Sequence, residues 1–315
     1  MRAVAACLPT APGVYRFRDA SGRSLYLGRA VNLRRRVRSY WSDLGGRQHL
    51  APMVARVAAV EAVACASEHE AAWLERSLLE RQLPPWNRTP GGQEVPVGIR
   101  LDTSARSPGL AVLHLDGNGV GLLSARPGAR MFGPYLGGSR VRLAVAGLHR
   151  VFPVSYASDR QAGALGDLAR RRGISPADRT AFVGSLTAVL ERDPEAVADL
   201  RARLTERRDA AAAAEAYELA GRIQAELIAV DWITCEQRAA ALGNEDADLA
   251  GWADGVLVRF DIRGGRICGW RQFSRTASQA RRWIAGTPPA WRDFAAQNAR
   301  LAASLREAAG QPVSL

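Results

Sequence analysis

The N-terminal segment constrains the fold more than any other part of the chain. Two β-rich runs, Gly13–Arg18 and Arg23–Gly28, flank Asp19-Ala20-Ser21-Gly22, and Asp and Gly at these places suit a tight turn, so the pattern predicts a β-hairpin. Asn32 follows the second run and can cap a helix over Leu33–Trp41, where Leu33, Val37, Tyr40 and Trp41 recur on one face while Arg34, Arg35 and Arg38 point outward. After Gly45-Gly46 comes a third strand-like stretch, Val54–Ala66. Ser67 then caps a helix over Glu68–Gln82, which Pro84-Pro85 ends.

Beyond a linker at residues 88–98, containing Thr89-Pro90-Gly91-Gly92, the pattern becomes mixed. Val97–Leu101, Leu110–Leu115 and Val120–Ser124 read as short strands, and Ser139–Arg150 as a helix stopped near Pro153. Residues 160–195 are helical with polar breaks. Asp199–Ala240 is the most helical stretch and holds the alanine run Ala210–Ala214. Gly255–Ile262 and Arg266–Phe273 form a hairpin about Gly264-Gly265, and an amphipathic helix from about Arg292 to Ala309 follows. No internal repeat, P-loop or GxGxxG is present. The expected class is α+β: a small N-terminal domain with a three-stranded antiparallel sheet and helices, followed by an α+β region with a helical hairpin. The expected segments are 1–90, 91–155, 156–245 and 246–315.

Composition excludes several classes. At 315 residues with 47% hydrophobic and 23% charged residues, the chain is that of a globular protein rather than a disordered one. Apolar stretches are short and broken by arginine, so no membrane span is expected, and Ala3–Leu8 is too short for a signal peptide. Cys7, Cys65, Cys235 and Cys268 lie far apart, without zinc or disulfide spacing, which fits a reducing cytoplasm. The net charge is +12, and all 43 basic residues are arginine. Residues 1–50 carry ten arginines against Asp19 and Asp43, whereas residues 201–250 carry six against ten acids. A basic N-terminal region favours a polyanion, most commonly nucleic acid.

Five residues in the first segment suggest chemistry. Tyr15 and Tyr26 lie on adjacent strands, Arg36 at the edge of the apolar face of the next helix, Glu75 along the apolar side of a later one, and Asn87 just past it. Taken singly, strand tyrosines are usually packing residues and a helical arginine is usually solvated. A carboxylate on an apolar helix face needs a cation to offset its burial. Together the set suits phosphodiester hydrolysis. One carboxylate can hold a hydrated divalent cation, an arginine can stabilise charge on the phosphate, and a tyrosine of lowered pKa can accept a proton from water.

The spacing carries a resemblance. Leu8-Pro9-x-x-Pro12-Gly13-Val14-Tyr15, continued by Tyr26-Leu27-Gly28-Arg29-Ala30-x-Asn32-Leu33-x-x-Arg36-Val37-x-Ser39-Tyr40, resembles the GIY-YIG nuclease domain of the UvrC family. Ser67-Glu68-x-Glu70-Ala71-x-x-Leu74-Glu75 and Pro84-x-x-Asn87 resemble the metal-binding helix of that domain and the asparagine after it. The resemblance implies that Tyr15 and Tyr26 are the motif tyrosines, with Tyr26 favoured as general base. It makes Arg36 the phosphate-stabilising arginine, Glu75 the ligand of Mg²⁺ or Mn²⁺, and Tyr40 and Asn87 supporting residues. Arg29 stands where the family usually has lysine. Arg34, Arg35 and Arg38 would contact the DNA backbone.

Further along, Met131-Phe132-Gly133-Pro134-Tyr135, Val141-Arg142 and Val151-Phe152-Pro153 resemble the segment after the nuclease domain in that family. There a cysteine cluster often binds iron and sulfur. Val154-Ser155-Tyr156-Ala157-Ser158 has no cysteine, so no iron–sulfur cluster is expected. Glu215–Ile223 resembles the UVR helical hairpin that pairs UvrC with UvrB, which assigns Tyr217, Glu218 and Arg222 to UvrB binding; an alanine-rich helical pair serving its own core explains the same residues. Residues 255–273 resemble the stretch before the second UvrC nuclease, and neither the acids for that domain nor a helix-hairpin-helix tail follows, as in the Cho type.

The resemblance therefore implies a metal-dependent endonuclease of nucleotide excision repair; a cytoplasmic location follows from the cysteine usage, and a monomer is the default expectation. Such an endonuclease would make one incision on the 3′ side of a lesion in damaged double-stranded DNA, with UvrB. Two alternatives stay open. One is a stand-alone structure-specific or defence nuclease, and the other is a non-catalytic regulator that binds DNA or UvrB.

Overall fold

A computed structural model describes residues 1–42, 44–89, 94–115, 128–160, 163–237 and 246–310. The first elements are α1 (Arg2–Cys7), β1 (Gly13–Arg18), β2 (Ser24–Ala30), α2 (Leu33–Ser42), α3 (Ala51–Val54), β3 (Ala59–Ala64) and α4 (Glu68–Arg81). Then follow β4 (Pro96–Asp102), β5 (Gly109–His114), β6 (Ala129–Leu136), α5 (Gly138–Val151), α6 (Gly163–Arg171), α7 (Arg179–Leu190), α8 (Pro194–Ala213) and α9 (Tyr217–Thr234). The last are β7 (Ala247–Ala253), β8 (Val256–Arg263), β9 (Arg266–Ser274), α10 (Ala277–Ala285) and α11 (Arg292–Ala308). Among the described residues no helix is long and apolar enough to cross a membrane.

Two compact units emerge, one of residues 1–93 with 236–315 and the other of residues 94–235. These differ from the four segments read from the sequence, because the final hairpin and helix pack into the first unit rather than standing apart.

In the first unit an antiparallel sheet of order β2-β1-β3 is buried on both faces. Tyr15, Phe17, Ala62 and Ala64 point toward Leu33, Val37 and Tyr40 of α2. Val14, Leu27 and Val63 point the other way, into a core with Leu74 and Leu78 of α4 and with Phe260, Trp270 and Phe294. Those last three belong to a second antiparallel sheet, of order β7-β8-β9, and to α11. β1 is buried on both faces at Gly13, Val14 and Tyr15, and beyond them Arg16 and Arg18 alternate with Phe17 and pair with Glu61 on β3.

The hairpin turn is held by Asp19, whose Oδ1 accepts from the backbone N–H groups of Ser21 and Arg23, both at 3.0 Å. The Asn32 side chain accepts from the Arg35 N–H at 2.9 Å and so caps α2. Ser67 caps α4 by accepting from Glu70 N–H at 3.0 Å. The free edge of β3 is closed by a side chain. Buried Asn298 of α11 accepts from the Ala64 N–H at 2.7 Å and donates to the Ala64 carbonyl at 3.2 Å.

Some boundaries differ from expectation. The strand foreseen over Val54–Ala66 spans only Ala59–Ala64, because Pro52 in the first turn of α3 starts a helix that takes in Val54. β2 runs on to Ala30, two residues past the expected end. Five elements, α1, α3, β6, β7 and α10, have no counterpart in the sequence expectations. The expected strand Val120–Ser124 and linker residues 90–93 lie outside the described residues, as do residues 238–240 of the long helical stretch.

In the second unit a sheet of order β5-β4-β6 packs on α5, and the α8–α9 pair packs beside it. Its core includes Ile99, Phe132, Tyr135, Leu148, Leu204 and Val230. The alanine-rich stretch is not one helix; it breaks at Ala214–Ala216, with Glu215 at a φ of 56°.

Candidate active site

The register of β1 against β2 assembles the site. Tyr15 pairs with Gly28 across the hairpin and Tyr26 pairs with Phe17, which brings the two rings to the same face with centroids 6.2 Å apart. Gly28 is what allows this. A Cβ there would lie 2.6 Å from the Tyr15 hydroxyl and 2.8 Å from Tyr26 Cε1, closer than packed atoms approach. Gly13 has a different role, since a Cβ there would collide with the Val63 backbone carbonyl on β3. One motif glycine lets strands pair closely, and the other leaves room for the tyrosines.

The α2 helix supplies the next two groups. The hydroxyls of Tyr15 and Tyr40 hydrogen-bond at 2.7 Å, and Arg36 Nε donates to the Tyr15 hydroxyl at 3.2 Å. The Tyr40 ring lies 5.9 Å from Tyr15 and 6.2 Å from Tyr26, so three phenols and one guanidinium share a site. Tyr15 is wholly buried, whereas Tyr26 and Arg36 are half-buried. Tyr15 therefore orients Arg36 and Tyr40, and Tyr26 is the motif phenol at the rim.

Glu75 comes from α4 to the β2 end of the site. One carboxylate oxygen accepts from the Arg29 backbone N–H at 3.1 Å, and the other lies 3.3 Å from Arg29 Nε. Its charge reaches Tyr26 and contributes to that phenol's pKa. Asn87 does something else. Its Oδ1 accepts from the Leu27 N–H at 2.9 Å and its Nδ2 donates to the Leu27 carbonyl at 2.8 Å, so it pairs with the outer edge of β2 as a neighbouring strand would. Asn87 is thus a positioning residue for the strand that carries Tyr26, Gly28 and Arg29.

The expectation of a lowered tyrosine pKa is not met by the protein's own residues. Burial, reinforced by neighbouring Tyr40 and Tyr26, holds the Tyr15 phenol well above its ordinary value. Burial also raises Tyr26, with Tyr40 and the Glu75 charge adding to the effect and Arg36 opposing it. Desolvation disfavours the phenolate more than one guanidinium favours it.

Arg34, Arg35 and Arg38 lie on the exposed side of α2, with Thr10, Asn32 and Ser39, around a groove of about 360 Å³. Arg34 is fixed there by donating to the Leu8 carbonyl at 2.6 Å. Tyr217, Glu218 and Arg222 begin α9 in the other unit, and all three are exposed. One residue of the site escaped the sequence reading. Arg47, in a 3₁₀ turn over Gly45–Leu50, places its guanidinium 4.9 Å from the Tyr40 ring centre and donates to Ser39 Oγ at 3.1 Å. Its Nη1 is buried without a hydrogen-bonding partner among the described residues. Only its basic character could have pointed to it, because the glycines before it break any helical period.

Residues 11–88 match the UvrC-like GIY-YIG domain family. The chain is similar to UvrABC system protein C of Geobacter metallireducens, 31% identical over 288 residues, which cover 84% of this chain and 44% of that protein. The protein of the same name from Salinispora tropica is 32% identical over 281 residues, covering 84% of this chain and 41% of that one. That of Trichlorobacter lovleyi is 36% identical over 148 residues, covering 47% and 23% respectively. The chain spans less than half the length of these curated relatives. The matched span contains Tyr15, Tyr26, Arg29, Arg36, Tyr40, Glu75 and Asn87, and residues 11–88 are therefore a UvrC-like GIY-YIG domain.

Proposed function

We propose that this domain is the active domain of a metal-dependent DNA endonuclease of nucleotide excision repair, which makes a single incision on the 3′ side of a lesion together with UvrB. The observation that carries the reading is the shared site itself. Arg36 and Tyr26 stand at a partly open rim, held by buried Tyr15 and Tyr40, with the Glu75 carboxylate beside them. A core built only for stability gains nothing from a half-exposed guanidinium and carboxylate arranged round three phenols.

The donor set fits a hard divalent cation. Glu75 is a single carboxylate whose side chain is 23% exposed, and no group of three His, Cys, Asp or Glu that could cage a metal occurs among the described residues. One carboxylate with access to water suits Mg²⁺ or Mn²⁺, which accept oxygen ligands and keep most of their waters, better than Zn²⁺ or Cu²⁺, which take several His or Cys ligands. Such a cation would stabilise charge at the scissile phosphate and on the leaving oxygen. Arg36 would bind the same phosphate from the α2 side. In hydrolysis a water oxygen bonds to phosphorus as one P–O ester bond breaks. Tyr26, at the rim, would take the proton that this water gives up once a cation held by Glu75 lowers its pKa, and the leaving oxygen would take a proton from solvent water. Arg34, Arg35 and Arg38 would hold the backbone without reading sequence.

The exposed start of α9 supports a protein-docking role. Tyr217 is 70% exposed and Leu219 and Ile228 are also open, apolar surface that the helix does not use in its own core. In this reading Tyr217, Glu218 and Arg222 contact UvrB.

The test is cleavage of an end-labelled duplex with one defined lesion, by purified protein with Mg²⁺ or Mn²⁺, with and without UvrA and UvrB. A single 3′ cut that needs UvrB and is lost in Glu75→Ala is the expected result. Cutting without UvrB would establish a stand-alone nuclease instead. DNA or UvrB binding without any cutting would establish a regulator.

A further inference from the structure

The second unit contains a cleft that the proposed incision does not use. Its volume is about 880 Å³. One wall is a stripe of α5, where Arg142, Val145, Ala146, His149 and Arg150 recur at helical spacing. The opposite wall brings Arg207 from α8, Arg172 from just after α6, and the Tyr156 and Phe182 rings. The lining includes no Asp, Glu, Asn, Gln, Ser or Thr.

The cleft has an excess of positive charge. Arg150 is accounted for, since buried Glu226 takes both its Nε, at 2.6 Å, and its Nη2, at 2.7 Å. Arg142, Arg172 and Arg207 form no ion pair with a carboxylate among the described residues, and the acid that weakly offsets the charges around Arg207 is its chain neighbour Glu206. Arg207 donates to the Arg150 carbonyl, which fixes its guanidinium in the cleft. Its pKa is pushed down by burial first, and then by Arg150, Arg203 and Arg172, which is the response of a cation held among cations. Arg172 is similarly fixed, with its guanidinium 5.0 Å from the Tyr156 ring centre. The His149 ring is tilted against the same ring with centres 5.7 Å apart, and burial together with Arg172 lowers its pKa.

A chain does not gather like charges on preordered side chains for stability, since their repulsion costs free energy. A polyanion offsets that cost. We propose that this cleft binds the phosphodiester backbone of an extended nucleic-acid strand, independently of sequence, as a DNA contact separate from the GIY-YIG site. Guanidiniums suit phosphates, the part-buried Phe182 ring offers an apolar contact to an unstacked base, and the absence of amide side chains leaves little to discriminate between bases. The inference rests on the reading of this chain as a DNA-acting protein.

The experiment is fluorescence anisotropy of a labelled oligo-dT strand with the full chain, without divalent ions so that no cleavage occurs, across a range of salt. The variants are Arg172→Gln/Arg207→Gln, the charge-retaining Arg172→Lys/Arg207→Lys, and a charge-matched surface pair, Arg281→Gln/Arg300→Gln. The cleft Gln pair is expected to weaken binding about ten-fold or more at 0.1 M salt and to reduce the salt slope by about two, one per phosphate contact. The Lys pair should keep most of the salt slope, and the surface pair should behave as wild type. Equal effects of the cleft and surface pairs at unchanged melting temperature would overturn the proposal. So would a pyrophosphate-induced melting shift that depends on Arg172 and Arg207 while oligo-dT binding does not, because the site would then serve a small phosphate compound. If the wild-type chain binds no DNA, the DNA-acting reading fails first and this one with it.

Discussion

Gly28→Ala separates the chemistry of the site from the stability of the fold. The added Cβ would sit 2.6 Å from the Tyr15 hydroxyl, about 0.8 Å inside ordinary contact, and 2.8 Å from both Tyr15 Cζ and Tyr26 Cε1. The obstacles are side-chain rings, so the backbone can keep its pairing while both tyrosines move by something under 1 Å. That motion disrupts the Tyr15–Tyr40 hydrogen bond of 2.7 Å and the Arg36 contact of 3.2 Å. Overpacking of this kind costs about 1–3 kcal/mol, and a buried hydroxyl left unpaired costs about as much. Together these come to about 2–6 kcal/mol, so at roughly 2–4 °C per kcal/mol for a unit of this size the melting temperature should fall by about 4–24 °C. Incision should suffer more, because displacing a catalytic group by about 1 Å costs on the order of 100-fold. The assay is single-turnover nicking at a saturating divalent ion, paired with thermal melting. Tyr15→Phe/Gly28→Ala removes the closest clash and should regain part of the stability but none of the activity. Gly13→Ala should behave differently, losing the folded state, because its Cβ meets the Val63 backbone and nothing there can rotate away. A Gly28→Ala protein that nicks at the wild-type rate and melts within about 1 °C of it would refute the assignment of the tyrosine cluster as the reacting centre.

Three further outcomes are expected. Arg29 Nε lies 3.3 Å from the Glu75 carboxylate and competes with any cation there, so Arg29→Ala should lower the Mg²⁺ concentration for half-maximal nicking several-fold, read from a metal titration. Absorbance titration at 295 nm should leave the phenols of Tyr15, Tyr26 and Tyr135 protonated past pH 11, since burial raises all three, Tyr135 to about 12. Because the folded-state values exceed the unfolded value near 10, the fold keeps this contribution below pH 10 and loses it as pH rises toward the folded values, so alkaline unfolding should begin above pH 10. Asn298→Ala should destabilise the first unit by about 2–4 kcal/mol in denaturant melts, because it leaves the buried N–H and carbonyl of Ala64 without their partner.

Much of the site was legible because its signals are local. The turn at Asp19–Gly22, the caps at Asn32 and Ser67, and the apolar stripe of α2 are each written within a few residues, and together they place Tyr15, Tyr26, Arg36, Tyr40 and Glu75 on neighbouring elements. What could not be read depends on distant partners. β7, Ala-Asp-Leu-Ala-Gly-Trp-Ala, has little strand propensity of its own and is a strand because β8 pairs with it along its whole length. The helix α11 looks like any amphipathic helix in sequence, yet its Asn298 finishes the edge of β3, more than two hundred positions earlier. The resemblance makes Asn87 a supporting residue, and the two-point contact with Leu27 shows which strand it braces, a partner that its place in the sequence does not reveal.

The tyrosine pKa values show the same limit on the chemical side. Spacing along the chain indicates which groups meet, and opposite charges nearby suggest a lowered phenol pKa. The sign of the shift, however, depends on how much water each group loses, and that follows from packing. Tyr15 faces Gly28 across the hairpin and is sealed by α2, so it is wholly buried and its single guanidinium neighbour cannot compensate. Tyr26 lies nearer the rim, but Glu75 adds a negative charge that further opposes ionisation. The protein's own residues therefore keep both phenols protonated at neutral pH. Until a cation held by Glu75 lowers its pKa, Tyr26 is a hydrogen-bond donor toward whatever binds at the rim, and Tyr15 is a fixed strut for Arg36. The division of labour between two tyrosines that look equivalent in the motif comes from one strand register and one helix, not from the residues themselves.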